Sequence, residues 1–263
     1  MNKIFEYLDE LIPNPKCELN YNLDYELLIA VMLSAQTTDK RVNEVTNILF
    51  KKYDSLKKLS EADINDIKNI IRPIGTFNKK ASNIIEISKK ILEIGYVPND
   101  RKYLESLPGV GRKTTNLVLS TLYNEPYIAV DTHITRVANR LGLVKTKDVL
   151  KIEKELYKKI PKDRLNKTHH QLVLFGRYYC KAINPDCTNC KLKNICKKWR
   201  IISSLLFCYF KGSTFCCSNT IINNCVSYFV FPSTSSIYSC YFTTIFTIFF
   251  CNCCFFSNIY SSI

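Results

Sequence analysis

Apolar residues in the first 200 positions recur at the spacing of an α-helix, and this pattern restricts the fold more than any other feature of the chain. Ile134 begins a stripe in which apolar residues stand at i, i+3, i+4 and i+7, and comparable stripes begin at Ile64, Ile84 and Ile152. Residues 27–33 are apolar on nearly every face that a helix would present, which predicts a buried helix. Because no pair of alternating segments joined by a hairpin turn occurs among them, the sequence predicts an all-α fold.

The distribution of charge changes abruptly after Arg200. Residues 201–263 contain one lysine, Lys211, and no Arg, Asp or Glu. The whole chain has 37 Lys and Arg residues against 23 Asp and Glu residues, a net charge of +14, so all but one of these net charges belong to residues 1–200. Such an excess of positive charge favours an acidic partner such as nucleic acid.

The uncharged tail, residues 199–263, is compatible with three interpretations. A membrane anchor is one, although Ser, Thr, Asn and Pro232 interrupt its apolar runs. A genuine extension would be an aggregation hazard, because it has high β propensity and almost no charge. We favour an out-of-frame translation that is no part of the fold, because selected protein surfaces rarely run this long without a carboxylate.

The beginning of the chain and the placement of its cysteines bear on its cellular compartment. Acidic residues in MNKIFEYLDELIP stand where a signal peptide would be apolar. The stretch between Cys17 and Cys180 contains no cysteine, so the 13 cysteines do not form a disulfide framework for the whole domain. We therefore expect residues 1–200 to be cytoplasmic, associated with the nucleoid if the organism is a bacterium, and to require no membrane.

Four cysteines near the end of the basic part have metal-ligand spacing, C-x6-C-x2-C-x5-C. In a reducing cytosol, four thiolates this close in sequence bind metal far more often than they form disulfides, and buried unliganded thiols are the less favoured alternative. The spacing alone fits zinc and a [4Fe–4S] cluster equally, since both accept four thiolates. The predicted ligands are Cys180, Cys187, Cys190 and Cys196.

The sequence LPGVGRKT between two helical stretches predicts a phosphate-binding turn. Its proline fixes the entry of the turn, and its two glycines permit positive φ and close backbone approach. A turn that opens a helix exposes backbone N–H groups to phosphate oxygens, although GxG alone also fits a plain helix–helix turn. Together with the net positive charge, the segment indicates binding to the phosphates of a DNA backbone. Its predicted members are Pro108, Gly109, Val110, Gly111 and Arg112.

Lys113 and Asp131 are the candidate reactive side chains. A lysine in the first turn of a helix is usually solvated, but the helix dipole and Arg112 both disfavour its charged form and favour a neutral, nucleophilic amine. Asp131, in VDTHITR, comes directly before an apolar-periodic helix. Its position fits a helix N-cap as well as a catalytic carboxylate.

Taken together, these segments resemble the endonuclease III family. The runs LPGVGRKTTNLVL, VDTHITRVANRLGLV and HHQLVLFGRYYC and the four-cysteine spacing occur in the family's order and at its spacings, and LLIAVMLSAQTTDKRVN is also typical. The resemblance covers about residues 5 to 198. It implies an iron–sulfur, helix-hairpin-helix DNA glycosylase with apurinic/apyrimidinic lyase activity.

The resemblance also implies an architecture of two all-α domains with the active site in the cleft between them. Residues 22–125 would form a six-helix barrel that includes the hairpin, and residues 126–198 would form the cluster domain. Residues 1–21 would pack on the cluster domain. The four cysteines would then bind a [4Fe–4S] cluster rather than zinc.

The implied partner is double-stranded DNA with a damaged pyrimidine or an abasic site, bound by a monomer. Neutral Lys113 would attack C1′ of a flipped nucleotide and expel the base, while Asp131 on the opposite wall would stabilise positive character on the sugar. The resulting Schiff base would permit β-elimination and nick the strand 3′ to the site. No catalytic Mg²⁺ or Zn²⁺ is expected.

Gln36, in Ser34-Ala35-Gln36, matches the family residue that fills the vacated stack opposite the orphan base. The family has a second residue that inserts into the DNA stack, a leucine in the loop that here reads IGTFNK. In this chain Thr76 stands in place of that leucine. Because of this difference, the resemblance does not predict an inserted residue at this position or a preference for the base on the opposite strand.

Two other functions remain compatible with parts of the pattern. One is a noncatalytic helix-hairpin-helix protein with a structural metal. The other is an adenine-mismatch glycosylase, which shares the cluster but lacks a lysine nucleophile, so that Lys113 argues against it. His133, Arg136, His169 and His170 receive no catalytic role.

Overall fold

The computed structural model describes residues 1–199, 227–229 and 238–240. The chain divides into two compact units, residues 1–207 and residues 208–263. The described part of the first unit contains helices and turns and no strand, which confirms the predicted all-α fold for residues 1–199.

The helices of the first unit vary from 5 to 18 residues in length. A 3₁₀ turn, Lys162–Arg164, precedes the last α-helix, and a π-helical turn, Phe175–Tyr179, follows it. In chain order the α-helices are α1 (Asn2–Leu11), α2 (Asp24–Leu33), α3 (Asp39–Lys52), α4 (Leu56–Ser60), α5 (Ile64–Ile71), α6 (Phe77–Ile94), α7 (Arg101–Ser106), α8 (Arg112–Tyr123), α9 (Thr132–Arg140), α10 (Val149–Lys159) and α11 (Leu165–Leu174).

Short polar side chains define where several of these helices begin. The side chain of Asp100 accepts hydrogen bonds from the first-turn N–H groups of α7, and Asp148 does the same for α10. Thr38 and Asp63 cap α3 and α5 in the same way. Because each cap satisfies N–H groups that the helix itself leaves unpaired, these residues fix the helix starts within loops of low apolar content.

Buried apolar side chains form two separate cores. The first core extends from Leu19 to Leu119 and includes α2, which is buried on almost every side as its sequence predicts. The second core combines residues of α1 with residues between Ile128 and Leu192. The chain therefore passes from one core to the other twice, once in the segment after α1 and once between α8 and α9.

Asp9 attaches α1 to the second core. Its carboxylate accepts hydrogen bonds from Arg164 at 2.9 and 3.0 Å and from Gln171 at 3.0 Å, and it lies 2.8 Å from the ammonium of Lys167. The hydrogen bond from Lys167, with those from Gln171 and Arg164, lowers the pKa of Asp9 to about 2. The first helix of the chain is thus joined by charge to α11, which lies more than 150 residues later.

In the second unit, Ser227–Phe229 and Tyr238–Cys240 pair as two antiparallel strands, with Tyr228 opposite Ser239. The tail has high β propensity but no strand period, so its composition is compatible with these two strands and its pattern does not place them. The three interpretations of residues 199–263 lie almost wholly outside the described residues. No helix in the described part of the chain is long and apolar enough to cross a membrane.

Candidate functional site

A cavity of about 120 Å³ lies where the two cores meet, and it brings together the two candidate reactive side chains. Lys113 reaches it from the first turn of α8, and Asp131 reaches it from the start of α9. Residues after α1 and α2 complete one side, and α11 completes the other. The lining residues are Lys16, Cys17, Glu18, Leu19, Val31, Ser34, Ala35, Asp39, Lys113, Thr114, Leu117, Ala129, Asp131, His169, His170, Val173, Leu174 and Arg177.

The glycine turn before α8 has the predicted positive φ at Gly109, whereas Gly111 has φ of −103° and open space where a Cβ would lie. Gly109 has φ of +76°, and a Cβ there would stand 2.4 Å from Nδ2 of Asn83, so both the backbone conformation and the packing favour glycine. The side chain of Val110 is buried, and its N–H donates to the carbonyl of Leu107 at 3.2 Å. The turn is therefore a rigid connection held against α6.

The start of α8 offers backbone donors beside the cavity. Gly111 occupies the N-cap position and supplies no side-chain hydrogen bond to the first turn. The N–H groups of a helix's first turn carry a partial positive charge, which favours an anion. An oxygen of a DNA phosphate could accept from them, as the hairpin interpretation requires.

Lys113 is exposed and lies at the mouth of the cavity. Among the described residues, no acidic side chain forms an ion pair with its ammonium. Its neighbour Arg112, in contrast, binds Glu153 in a bidentate pair, with both N···O distances 2.9 Å. An exposed amine that faces a concave site is free to reach a bound substrate.

Arg112 pairs with a buried carboxylate, a contact that its position in the glycine turn does not reveal. Glu153 of α10 is buried, and hydrogen bonds from Arg112 and Tyr157 lower its pKa although burial itself acts in the opposite direction. Asn116 also donates to this carboxylate, at 3.2 Å. The guanidinium therefore joins α8 to α10 across the two cores. The Arg112 side chain is 53% exposed, so its remaining donors can still reach a phosphate.

Asp131 has the structural role that its position before α9 predicts. Its carboxylate accepts a hydrogen bond of 2.7 Å from the N–H of Ile134. The side chain is only half-buried and lines the same cavity as Lys113. A carboxylate has two oxygens and several lone pairs, so capping the helix leaves acceptor capacity for a substrate in the cavity.

His169 and His170 form part of the cavity wall opposite α8. Their rings lie 4.8 Å apart in an edge-to-face arrangement. Burial holds the pKa of His169 well below its ordinary value, and the charges of His170 and Lys113 lower it further. The Nδ1 atom of His169 has no hydrogen-bond partner among the described residues. His169 is therefore neutral at physiological pH. The charge of Lys113 is one of the causes of its low pKa.

Two loops, one of them beside the cavity, hold non-glycine residues in the left-handed backbone region. Gln36 has φ of +58° and Thr76 has φ of +57°. Both residues are exposed, and the neighbours of Gln36, Ser34 and Ala35, line the cavity. Such conformations cost free energy and persist only where the surrounding structure enforces them, which is common at functional sites.

The four predicted metal ligands line a separate pocket of about 20 Å³ in the second core. Burial raises the pKa of Cys187, and the nearby thiols of Cys196 and Cys180 raise it further. The guanidinium of Arg140 lies 3.2 Å from Sγ of Cys180. Phe175 and Trp199 are among the apolar groups that close the pocket.

The donor set is compatible with an iron–sulfur cluster. The four cysteines line one pocket, although no group of three or more His, Cys, Asp or Glu side chains among the described residues is arranged to hold a single metal ion. In a [4Fe–4S] cluster each thiolate binds a different iron, so the four sulfurs surround the cluster and do not meet at a point. A pocket lined by four thiols, with a guanidinium against one of them, fits that requirement.

Sequence reasoning did not identify the ionic contacts that close the far side of the cavity. Arg177, in the π-helical turn, pairs with Asp39 at the start of α3 at 2.8 Å and also with Glu18. Tyr178 donates to Glu18 as well, at 2.5 Å. No local signal marks these residues, because the partners are more than 130 positions apart and only the fold brings them together.

Comparison with known proteins adds three findings. A family model described as the HhH-GPD superfamily of base excision DNA repair proteins matches residues 29–162. Endonuclease III of Rickettsia felis is 50% identical over 200 residues, which span 75% of this chain and 93% of that protein. Endonuclease III of Bacillus subtilis is 45% identical over 194 residues, 73% of this chain and 89% of that protein.

A solved structure of an endonuclease III is similar to this chain in its three-dimensional fold as well as in its sequence. A trapped covalent intermediate of an endonuclease III with DNA, an estranged-adenine complex, superposes with a TM-score of 0.71 at 43% sequence identity. The match covers 77% of this chain and 98% of that one.

Proposed function

Because the chain belongs to the endonuclease III family, it is a DNA glycosylase and abasic-site lyase of base excision repair, and we propose that Lys113 and Asp131 carry out its chemistry. The observation that carries the assignment is that these two side chains, from the starts of different helices, line one cavity. The cavity is formed by one chain, so we propose that the enzyme works as a monomer.

Lys113 would act as the nucleophile. Its neutral amine attacks C1′ of a flipped nucleotide that carries an oxidised or ring-saturated pyrimidine, a new C–N bond forms, and the base leaves with the bonding electrons. Loss of a proton from nitrogen and opening of the sugar give a Schiff base. Removal of a C2′ proton then expels the 3′ phosphate, which nicks the strand, and water releases the lysine.

Asp131 would stabilise the positive charge that develops on the sugar as the base departs. Its carboxylate is held by the N–H of Ile134, so it is oriented before substrate binds. A fixed negative charge that faces the place where positive charge forms lowers the barrier without reorganisation during the reaction.

Replacing Asp131 with asparagine is expected to slow glycosylase turnover about 100-fold, because the carboxylate charge is lost. Asparagine caps helices about as well as aspartate, so the free energy of unfolding should change by less than about 0.5 kcal/mol. Single-turnover kinetics and chemical denaturation measure the two effects. Asp148→Asn, at the N-cap of α10, is the matched control and should leave turnover unchanged. A loss of turnover that only follows a loss of folded protein would show that Asp131 is a helix cap alone.

DNA contacts would come from the turn of residues 108–111 and the first turn of α8. The turn is held rigidly by Gly109 and Val110, and the uncapped N–H groups that follow it can bind phosphate oxygens. The side chain of Arg112 contributes through its pair with Glu153 and keeps α8 in place. Gln36, on its strained loop, would enter the stack that the flipped nucleotide vacates.

The two cores support the proposed division into domains. We propose that residues 22–125 form the domain of the first core, that residues 126–198 form the domain of the second core, and that residues 1–21 belong with the latter through α1. Trp199, predicted from the sequence to belong to the tail 199–263, closes the cysteine pocket and so belongs to the second core, whereas residues 200–263 would lie outside this fold.

We further propose that Cys180, Cys187, Cys190 and Cys196 hold a [4Fe–4S] cluster. The segment between these cysteines has turns and no regular helix or strand among its described residues, so few backbone hydrogen bonds stabilise it. A bound cluster would supply four Fe–S bonds that crosslink the segment to the second core. The arrangement supports a structural role, and none of the proposed chemical steps uses the cluster.

Borohydride reduction during reaction with a duplex that contains an abasic site tests the proposed function. A lyase that forms a Schiff base should be converted to a stable covalent protein–DNA adduct, and without borohydride it should give a strand nicked by β-elimination. A noncatalytic helix-hairpin-helix protein would bind the same duplex and give neither product.

A further inference from the structure

Lys80 is a lysine of the first core whose side chain is almost wholly buried, with 5% of its surface exposed. It lies one turn into α6, and burial lowers its pKa. A buried ammonium is costly unless its donors are satisfied. The partners of Lys80 therefore indicate what the side chain is for.

The ammonium of Lys80 donates to two backbone carbonyls at the end of α2. It lies 3.0 Å from the oxygen of Leu33 and 2.8 Å from the oxygen of Ala35. The last carbonyls of a helix have no partner within the helix and carry partial negative charge, so a cation there satisfies both. Lys80 thus fixes the backbone directly before Gln36.

The same residue is attached to the second strained loop. The N–H of Lys80 donates to the carbonyl of Thr76 at 3.2 Å. Thr76 and Gln36 both have positive φ, although neither is glycine. The backbone bond to Thr76 is the first hydrogen bond of α6, and any residue at position 80 would donate it. The ammonium of Lys80 therefore ties the Gln36 loop to the helix whose N-cap is Thr76.

We propose that Lys80 is a positioning residue that holds the Gln36 loop and the Thr76 loop in one arrangement for separating the DNA strands. The inference rests on the proposed function, because it needs Gln36 to enter the DNA stack. Lys80 does not line the cavity and touches no reacting atom. It would act by keeping Gln36 in its positive-φ conformation, which the loop would not keep without this support.

The test compares two abasic substrates that differ in how much strand separation they require. In one the abasic site lies in a fully paired duplex, and in the other it lies in an unpaired bubble. Lys80→Met removes the ammonium at similar length, and we expect it to slow borohydride trapping about tenfold on the duplex and less than about twofold on the bubble. Lys89→Met removes an exposed lysine of the same helix and should change neither rate.

A double-mutant cycle with Gln36→Ala distinguishes positioning from general damage. If Lys80 acts through Gln36, the double variant should be no slower on the duplex than Gln36→Ala alone. Equal slowing on duplex and bubble, additive effects in the cycle, or an unchanged duplex rate would each overturn the inference.

Thermal unfolding shows whether each variant is folded. If Lys80→Met does not fold, Lys80→Arg takes its place, because a longer planar group keeps the charge and its donors but displaces the Gln36 loop. The same selective loss on the duplex is then expected. A wild-type chain that forms no adduct on either substrate would overturn the proposed function itself, which is a different result from slow trapping by the Lys80 variants alone.

Discussion

Lys113→Ala is expected to slow nicking of an abasic duplex by at least about a thousandfold, because no other side chain is proposed to form the covalent intermediate. The substituted side chain is exposed at the start of α8, so the fold should be unaffected. The free energy of unfolding is expected to stay within about 0.5 kcal/mol of wild type. Single-turnover nicking and denaturation are measured on the same preparations.

Two further variants separate the nucleophile from the positive charge. Lys113→Arg keeps a cation that can bind phosphate but is always protonated, so it should bind abasic duplex and still fail to nick it. Lys57→Ala removes an exposed lysine of α4 and should nick at the wild-type rate. Rapid nicking by Lys113→Arg would mean that the side chain contributes only its charge.

The second large effect is expected at the cysteine pocket. Cys190→Ala removes one of the four proposed ligands from a segment that has little regular structure of its own. We expect the iron content to fall to less than about half that of wild type and the visible thiolate–iron absorbance to be lost. The second core should lose on the order of 3 kcal/mol of stability, because metal binding and folding of such a segment are coupled.

The control for the cluster is Cys17→Ala. Cys17 lines the cavity of Lys113 and lies outside the cysteine pocket, so its loss should leave iron and visible absorbance unchanged. Purified wild-type protein with one zinc and no visible absorbance would contradict the cluster. Full iron content in Cys190→Ala would contradict the ligand set.

Local features of the sequence were sufficient to predict the helices and to place Lys113 and Asp131 at the starts of two of them. The apolar stripe from Ile134 and the carboxylate before it predict both α9 and its cap, because a helix start depends on residues within one turn. The glycine turn predicts the start of α8 and therefore the place of Lys113.

Contacts between distant segments could not be read from the sequence. The pair of Arg112 with Glu153, 41 residues later, could not be predicted from the sequence, because only the fold brings the two side chains together. The two strands of the tail likewise could not be placed from its sequence, because β propensity without an alternating pattern does not fix which segments pair.

Lys80 is an intermediate case, because its signal is present but easily missed. It stands at i, i+4, i+7 and i+11 with Ile84, Ile87 and Ile91, on the face of α6 that packs into the first core. In a lysine-rich helix this position looks like another solvated charge. A lysine in register with an apolar stripe is a sign of a buried, partnered ammonium.

The most direct test of the account is to locate the covalent bond. Wild-type protein is reduced with borohydride while it reacts with abasic duplex, the DNA is digested away, and the peptides are analysed by mass spectrometry. We predict that the deoxyribose remnant is attached to the side-chain nitrogen of Lys113. A remnant on another lysine or on the N-terminal amine, with Lys113 unmodified, would contradict the account.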